Sequence, residues 1–524
     1  MGEYEVIVVG GGHNGLIVAA YLLKAGVSVC VIERNEQVGG SVVTKELNMP
    51  GFKHDYHSTA HIMILGNPLI RNDELQLQSK YGLKYIYPDP SVGIVFPDDR
   101  SLVFYRDLDK TCRSIEQFSK RDAEAYRKLF EYCLPSLEMK LSGMFSPPPP
   151  FGKMIETLDQ TEEGREELTV LLKSTVDVLD EWFESEEVKM AIIRVVAEYF
   201  LPPLESGTGN VVYAFVPFLH TLGLGIPRGG AGGLCEALER CIKDQGGSIR
   251  TSSTVKSIKV EGGKAKGVIL ESGEEVNANR AVVSNLNPKQ LFLQMLKNGD
   301  LPSNFQKKVR GIRHSLFSGL NIHLSLNEPP KYKAGDEIGN TYMVLFTQLF
   351  EKYMRQIEEC RFGITNRSTP LFACPTLFDS TRTPEGKHTL YIFQFQPFQL
   401  KGGANLWDKI KEEVANGIIQ TLQDHTTNMG DENILEKDIN SPLDIERYNP
   451  AMLNGDFFHI GVVLHQTGAF RPLPGWGNYT TPIENLYMCG VGTHPGGGVD
   501  GGGRAAVQAI MEGLGVDFKK VIGY

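Results

Sequence analysis

At 524 residues, with 41% hydrophobic and 22% charged side chains, the sequence has the composition of a globular protein and is long enough for more than one hydrophobic core. A formal net charge of −10 argues against a nucleic-acid-binding surface, and no stretch is long and apolar enough to span a bilayer. The N-terminus lacks the pattern of a secretory signal and the context for myristoylation, so the expectation is a cytoplasmic protein. The cysteines at 30, 112, 133, 235, 241, 360, 374 and 489 make neither a C-x-x-C pair nor a zinc-spaced cluster, and read as reduced thiols that mostly fill cores.

The chain opens on Tyr4 to Val9, a β-branched apolar run suited to a parallel strand buried on both faces. Gly10, Gly12 and Gly15 follow as G-x-G-x-x-G, giving a tight turn, close backbone approach to a diphosphate, and close helix–strand packing. Asn14 to Ala25 has helical spacing and stops at Gly26, and its N-terminus offers free N–H groups and a positive dipole end. A second strand, Ser28 to Ile32, ends at Glu33, where an acid hydrogen-bonds a ribose hydroxyl. Candidate cofactor contacts at this end are Gly10, Gly12, His13, Asn14, Gly15, Glu33 and Arg34.

The segment Arg34 to Ser41 contains Gly39-Gly40. It resembles the extension after the second strand in glutathione-reductase-like flavoproteins, especially the amine oxidase and phytoene desaturase superfamily. There an E-(x)n-G-G element closes over the FAD diphosphate, which implies FAD as cofactor and adds Gly40 and Ser41 to its contacts. Relatives often carry a basic residue where this chain has Ser41, so more of the phosphate binding falls to backbone amides and the helix dipole. His54, His57 and His61 follow, in a segment that in relatives passes beneath the isoalloxazine.

Residues 110–220 carry helical patterns broken by Pro147 to Pro150, with apolar stretches at Met139 to Phe151 and Val211 to Leu224. These suit an apolar flap that admits substrate from a membrane surface or, equally, a buried core face. The glycine-rich run before the predicted helix Leu234 to Lys243 is not a second dinucleotide fingerprint, because Cys235 stands at its sixth position. Thr254 to Ile258 resembles the family segment whose backbone at the valine, here Val255, contacts the adenine end of FAD. A β-meander then leads to Ala281 to Ser284, which returns to the nucleotide sheet. Strand patterns at Gly319 to Leu326 and His388 to Pro397 follow; the second sets Tyr391, Phe393 and Phe395 on one face and Leu390, Ile392, Gln394 and Gln396 on the other. Val462 to Gln466 reads as a strand carrying His465, where the resemblance places the substrate-side sheet over the flavin.

Near the C-terminus, Leu486 to Cys489 is a buried strand, Gly490 to Gly503 a glycine-dense turn, and Arg504 to Met511 an alanine-rich helix, with the helix start placed near Asp500. A helix N-terminus there stabilises the negative charge that a flavin acquires on reduction. Gly490, Gly492, Val499 and Asp500 are the candidate contacts. The run N-L-Y-M-C-G followed by T-H-P-G-G-G-V is similar to the C-terminal FAD motif of phytoene desaturase-like oxidoreductases. Gly468 to Pro482 and Phe96 to Asp107 also resemble that family, so the likeness spans most of the chain.

The expected fold is α/β, a Rossmann-like FAD-binding domain of glutathione-reductase type with an α+β substrate domain built on a mixed sheet. The FAD domain is placed at 1–85, 225–300 and 476–524, and the substrate domain at 86–224, which holds the flap, and 301–475. No hydrolytic triad or metal cluster is legible, so the flavin carries the chemistry. The leading reading is an FAD-dependent desaturase of an isoprenoid-like hydrophobic substrate, with hydride passing to flavin N5; an isomerase or ketolase of polyenes, an amine oxidase and a non-catalytic FAD-stabilised interaction protein are the alternatives. Candidate catalytic residues are His465 first, His61 second, and His494 in the glycine loop. The electron acceptor (oxygen, a quinone or a protein) and the oligomeric state are left open, and contact with a membrane surface is a further expectation.

Overall fold

The computed structural model describes residues 4–297 and 299–523. Tyr4–Val9 lies at the heart of a seven-stranded sheet, between parallel partners Val29–Ile32 and the second half of Glu275–Ser284. Its last four residues are buried because helices cover one face and the meander side covers the other. Ser248–Arg250 extends the sheet beyond Val29–Ile32, and Leu486–Met488 docks parallel on Val282 to Ser284. The first half of Glu275–Ser284 is the last strand of an antiparallel meander with Val255–Glu261 and Lys264–Leu270. The helices His13–Lys24, Gly233–Asp244 and Gly503–Gly513 pack together on one face through Leu16, Ala20, Leu238 and Ala506.

A second seven-stranded sheet runs in the order Ile434–Asn440, Ser318–Leu326, His388–Gln396, Leu371–Ala373, Met343–Phe346, Val92–Val95, Ser101–Phe104. It is antiparallel except where Met343–Phe346 meets Val92–Val95, hence mixed as expected. Period-two alternation sorts its faces. Leu320, Ile322, Leu390 and Ile392 pack under the helix Trp407–Asp424, while Tyr391, Phe393 and Phe395 face the helices Glu186–Ala197 and Asn210–Thr221. Glu186–Ala197 begins where Ser185 accepts from the Val188 amide, and the helix before it, Thr175–Trp182, begins at a reciprocal capping box of Ser174 and Asp177.

Two local expectations are corrected. The helix after the glycine-dense loop begins at Gly503 rather than near Asp500, because Gly501 takes φ +73° and the Asp500 carboxylate accepts from the Gly502 amide, forming a turn first. Val462 to Gln466 is not a strand; Leu464–Gln466 is a single 3₁₀ turn. The first apolar stretch of the helical region forms the helix Leu137–Met144, whose Leu137 and Leu141 cluster with Phe145 and Phe218. This helix is also stitched down: Arg504 and Gln508 donate to the Phe145 carbonyl at 3.2 and 2.9 Å, and a ring nitrogen of His494 lies 3.0 Å from the Gly143 carbonyl. All eight cysteines are free and buried. Among the described residues no helix is long and apolar enough to cross a membrane, and no cluster of three or more His, Cys, Asp or Glu is placed to hold a metal ion.

Candidate functional site

The N-terminal glycine turn is held from several sides. The Gly10 amide donates to the Ile32 carbonyl at 2.8 Å, and the Gly39 amide to the Gly11 carbonyl at 2.8 Å. A methyl group on Gly15 would stand 2.4 Å from the Gly10 carbonyl oxygen, so glycine there lets the helix close on the strand. Glu33 is buried and uses both carboxylate oxygens on backbone, Oε2 accepting from Gly11 and Oε1 from Asn35, each at 2.8 Å. Burial raises its pKa, and those amides work in the opposite direction by favouring the carboxylate.

These residues border a cleft of about 120 Å³. Gly10, Gly12, His13, Glu33, Arg34, Gly40, Ser41 and Val255, all candidate contacts from the sequence, line it together. Sequence reasoning missed Asn285, Asn449 and His459 on the same walls. Asn285 carried a signal of position only: it follows the strand Glu275–Ser284, and its side chain donates to the Gly10 carbonyl at 3.3 Å. Gly15, Gly490 and Gly492 do not line the cleft. Added methyls on Gly490 and Gly492 would press on the Asn285 backbone at 3.0 Å and on Pro288 at 2.7 Å, so their role is close packing behind the wall.

The two ends of the chain meet here. Asn14 Oδ1 accepts from the Gly503 amide at 2.9 Å, and His13 Nε2 stands 3.9 Å from Asp500 Oδ1. Arg471, fully buried, donates to carbonyls of Phe458, Ile460, Gly461, Gln466, Val491 and Thr493, tying the glycine loop to the preceding segment. Burial lowers its pKa to about 10. Along this line buried polar atoms remain without partners: His13 Nε2, Asn14 Nδ2, His61 Nε2, Gln290 Oε1, His459 Nδ1 and Asp500 Oδ2. Buried polar groups of folded proteins are hydrogen-bonded in the great majority. A dinucleotide with a polyhydroxylated linker and a diphosphate offers matching donors and acceptors, so the residues fit such a cofactor.

Beyond Ser41 and Val491, which line both spaces, the cleft passes into a cavity of about 230 Å³. Its walls are mainly apolar: Phe200, Phe393, Phe457, Phe458, Leu371 and Val499 among them. His57 is the histidine on this wall. It is buried, neither ring nitrogen has a partner, and burial with the positive charge of Lys45 pushes its conjugate acid down to about 3. Tyr199 presents an unpartnered hydroxyl, and the Glu198 carboxyl, raised by burial, is held by Arg194.

None of the three histidines singled out from sequence lines this cavity. His465 sits on the 3₁₀ turn with an exposed side chain, because the segment expected to be a strand over the flavin is not one. His61 is buried behind the wall, bonded through Nδ1 to the Tyr85 hydroxyl at 3.0 Å, and burial lowers its pKa to about 3. His494 is spent on the Gly143 carbonyl.

A Rossmann-type cleft opening onto an apolar chamber defines a dinucleotide-dependent oxidoreductase. Residues 15–510 match the family of flavin containing amine oxidoreductases, and the chain belongs to that family; its cofactor is FAD. It is similar to pyridine nucleotide-disulfide oxidoreductase domain-containing protein 2 of Rattus norvegicus, at 29% identity over 98% of this chain and 94% of the relative. A component of the limonene dehydrogenase of Castellaniella defragrans is 27% identical over 98% and 96%, and the lycopene-forming phytoene desaturase of Pantoea ananas 24% identical over 96% and 98%. The likeness to phytoene desaturase-like members of the superfamily thus runs through nearly the whole chain. A solved oxidoreductase from Methanosarcina mazei shares the fold with a TM-score of 0.62 at 19% identity, over 97% of this chain and 99% of that one.

Proposed function

We propose that this flavoprotein removes hydrogen from adjacent carbons of a hydrophobic, isoprenoid-like molecule. The observation that carries the reading is the apolar, aromatic-walled cavity joined to the dinucleotide cleft at Ser41 and Val491. Relatives named for limonene and phytoene support the substrate class. Gly10, Gly12, Glu33, Ser41 and Val255 would hold the FAD, with Asn14 and Asp500 offering their free polar atoms to it. Bound FAD supplies an acceptor for hydride from the substrate carbon.

The chain's own work is to orient and to handle the proton. Phe200, Phe393, Phe457 and Phe458 exclude water and give an apolar substrate an apolar surface to lie against. His57, neutral at physiological pH, keeps a lone pair free to take the proton lost from the neighbouring carbon. The Tyr391 hydroxyl donates to the His57 carbonyl at 2.8 Å and fixes the backbone that carries the ring. The carboxylate on the wall, Glu198, is already paired with Arg194, which disfavours a site built for an ammonium group.

Anaerobic titration of the holoprotein with polyenes, terpenes, saturated ring ketones and amines tests the reading. Bleaching of the flavin by polyenes or terpenes, with a product two hydrogens lighter, is expected. Bleaching by amines alone overturns it. Rearranged polyene without flavin reduction makes the protein an isomerase, and a flavin bleached by no class favours a non-catalytic role.

A further inference from the structure

Phe200 occupies an unusual place. The helix Glu186–Ala197 ends just before it, and Phe200 takes φ +61°, the left-handed region that helix ends ordinarily give to glycine or asparagine. A bulky residue stays there only when its surroundings hold it. What holds it is a nest of rings: Phe317, Phe393, Phe395, Phe457 and Phe458 lie with centroids 4.9 to 6.5 Å from its own.

On the far side of that nest is a second cavity, of about 360 Å³, bordered by Arg313, His314, Phe317, Arg361, Gln399 and Val462. Among the described residues, Phe200 is the one that lines both this outer cavity and the inner apolar one. The outer space is wetter: Arg313 is exposed, and Arg361 is tied to Glu205 and Glu358 at its edge.

We infer that Phe200 is the gate between the two cavities, and that by controlling passage from the outer to the inner one it determines which substrates reach the flavin. The inference rests on the apolar-substrate reading above. When the ring leaves the aromatic nest, the backbone is released from its left-handed conformation, so packing lost on opening is offset by strain relieved. An extended polyene too long for the inner cavity then keeps its reacting end beside His57 and trails past Phe200 into the outer space.

The test is kinetic and independent of turnover. Parinaric acid, a fluorescent conjugated tetraene, is mixed with the FAD-loaded protein in stopped flow, and its arrival beside the flavin is read from the shift in flavin absorbance. Phe200→Ala is expected to raise both association and dissociation rates about tenfold, and Phe200→Trp to slow both. A second variant avoids the core: Arg313→Cys places a thiol on the exposed wall of the outer cavity, and coupling it to a bulky maleimide is expected to slow entry about tenfold, with equally treated wild type unaffected because its cysteines are buried. Entry rates indifferent to Phe200 and to the plug at 313 overturn the gate, and if Phe200→Ala does not fold the plug decides alone. Gated entry of the probe in a protein whose flavin no polyene reduces leaves the gate standing and removes the proposed reaction.

Discussion

The guanidinium of Arg504 meets the carboxylate of Glu74 side-on, Nε to Oε2 and Nη2 to Oε1, each at 2.7 Å. Arg504 belongs to the last glycine-flanked helix and Glu74 follows the short helix Pro68–Arg71, while Tyr21 of the first helix donates to the same carboxylate. Both charged side chains are nearly inaccessible, at 9% and 4% exposure. Glu74→Gln therefore strands a buried cation and is expected to cost about 3–5 kcal/mol, seen as a lower melting temperature in calorimetry. The paired change Glu74→Leu with Arg504→Met removes both charges and should recover most of that loss; a double variant as unstable as the single one would show that packing, not charge, is responsible.

Two glycines in the opening turn should respond differently to the same added methyl. At Gly15 the obstacle is the Gly10 carbonyl oxygen at 2.4 Å, which is backbone and cannot swing away. At Gly12 it is the Asn285 amide nitrogen at 2.9 Å, the end of a side chain. Gly15→Ala is expected to purify without flavin, and Gly12→Ala to bind FAD about tenfold more weakly, roughly 1.4 kcal/mol, in a titration of the apoprotein. Equal affinities in the two variants would contradict the packing argument.

Glu33→Ala removes the acceptor for the Gly11 and Asn35 amides and the acid that faces the cleft. Loss of about 1.5–3 kcal/mol in FAD binding is expected, the range for hydrogen bonds to a charged group. Fluorescence of released flavin on dilution measures it.

The histidines separate by position. His465→Ala should leave anaerobic flavin reduction unchanged within about twofold, since the side chain is exposed and off the cavity wall. His57→Phe preserves the apolar wall and removes the proton acceptor, so the rate of reduction should fall by about 10²–10⁴ with little change in substrate affinity. A rate retained by His57→Phe would assign the proton to another group.

Acid should unfold the protein early, and for a stated reason. Burial holds His57 and His61 near 3 and His54 near 4 in the folded protein, while all three titrate near 6.5 once exposed. Between those values the unfolded chain binds more protons than the native one, so stability rises with pH across the window and is lost as pH falls from about 6.5 toward 3. Each histidine contributes a slope of up to about 1.4 kcal/mol per pH unit. Denaturant unfolding followed from pH 6 to 4 should show it, with the slope shallower by about that amount in His57→Phe.

What could be read from the sequence was the part governed by local rules. A β-branched run, a G-x-G-x-x-G turn, an amphipathic helix and Glu33 each constrain their neighbours within a few residues, and Gly10, Gly12, Glu33, Ser41 and Val255 do line one cleft. Asn285, Asn449 and His459 reach the same cleft from distant segments with no local pattern of their own. His465 was misplaced for a related reason: Val462-Val463-Leu464 has strand chemistry, but Arg471 gathers the surrounding carbonyls inward and the chain turns instead of extending. Phe200 was illegible because its conformation is set by rings supplied from three other parts of the chain.

The strand Glu275–Ser284 gives the molecule an order of assembly. Its first half pairs with Lys264–Leu270, a neighbour in sequence, and can form as soon as that stretch exists. Its second half waits for Tyr4–Val9 on one side and for Leu486–Met488 on the other, pairings that bring together the most remote parts of the chain. The cofactor cleft is walled by residues that follow the first strand and by Val491 just past the last, so the complete cleft exists only where these remote strands are paired. A cofactor that binds only the closed arrangement stabilises it by mass action, so the flavin acts as a clasp on the chain's longest-range pairing.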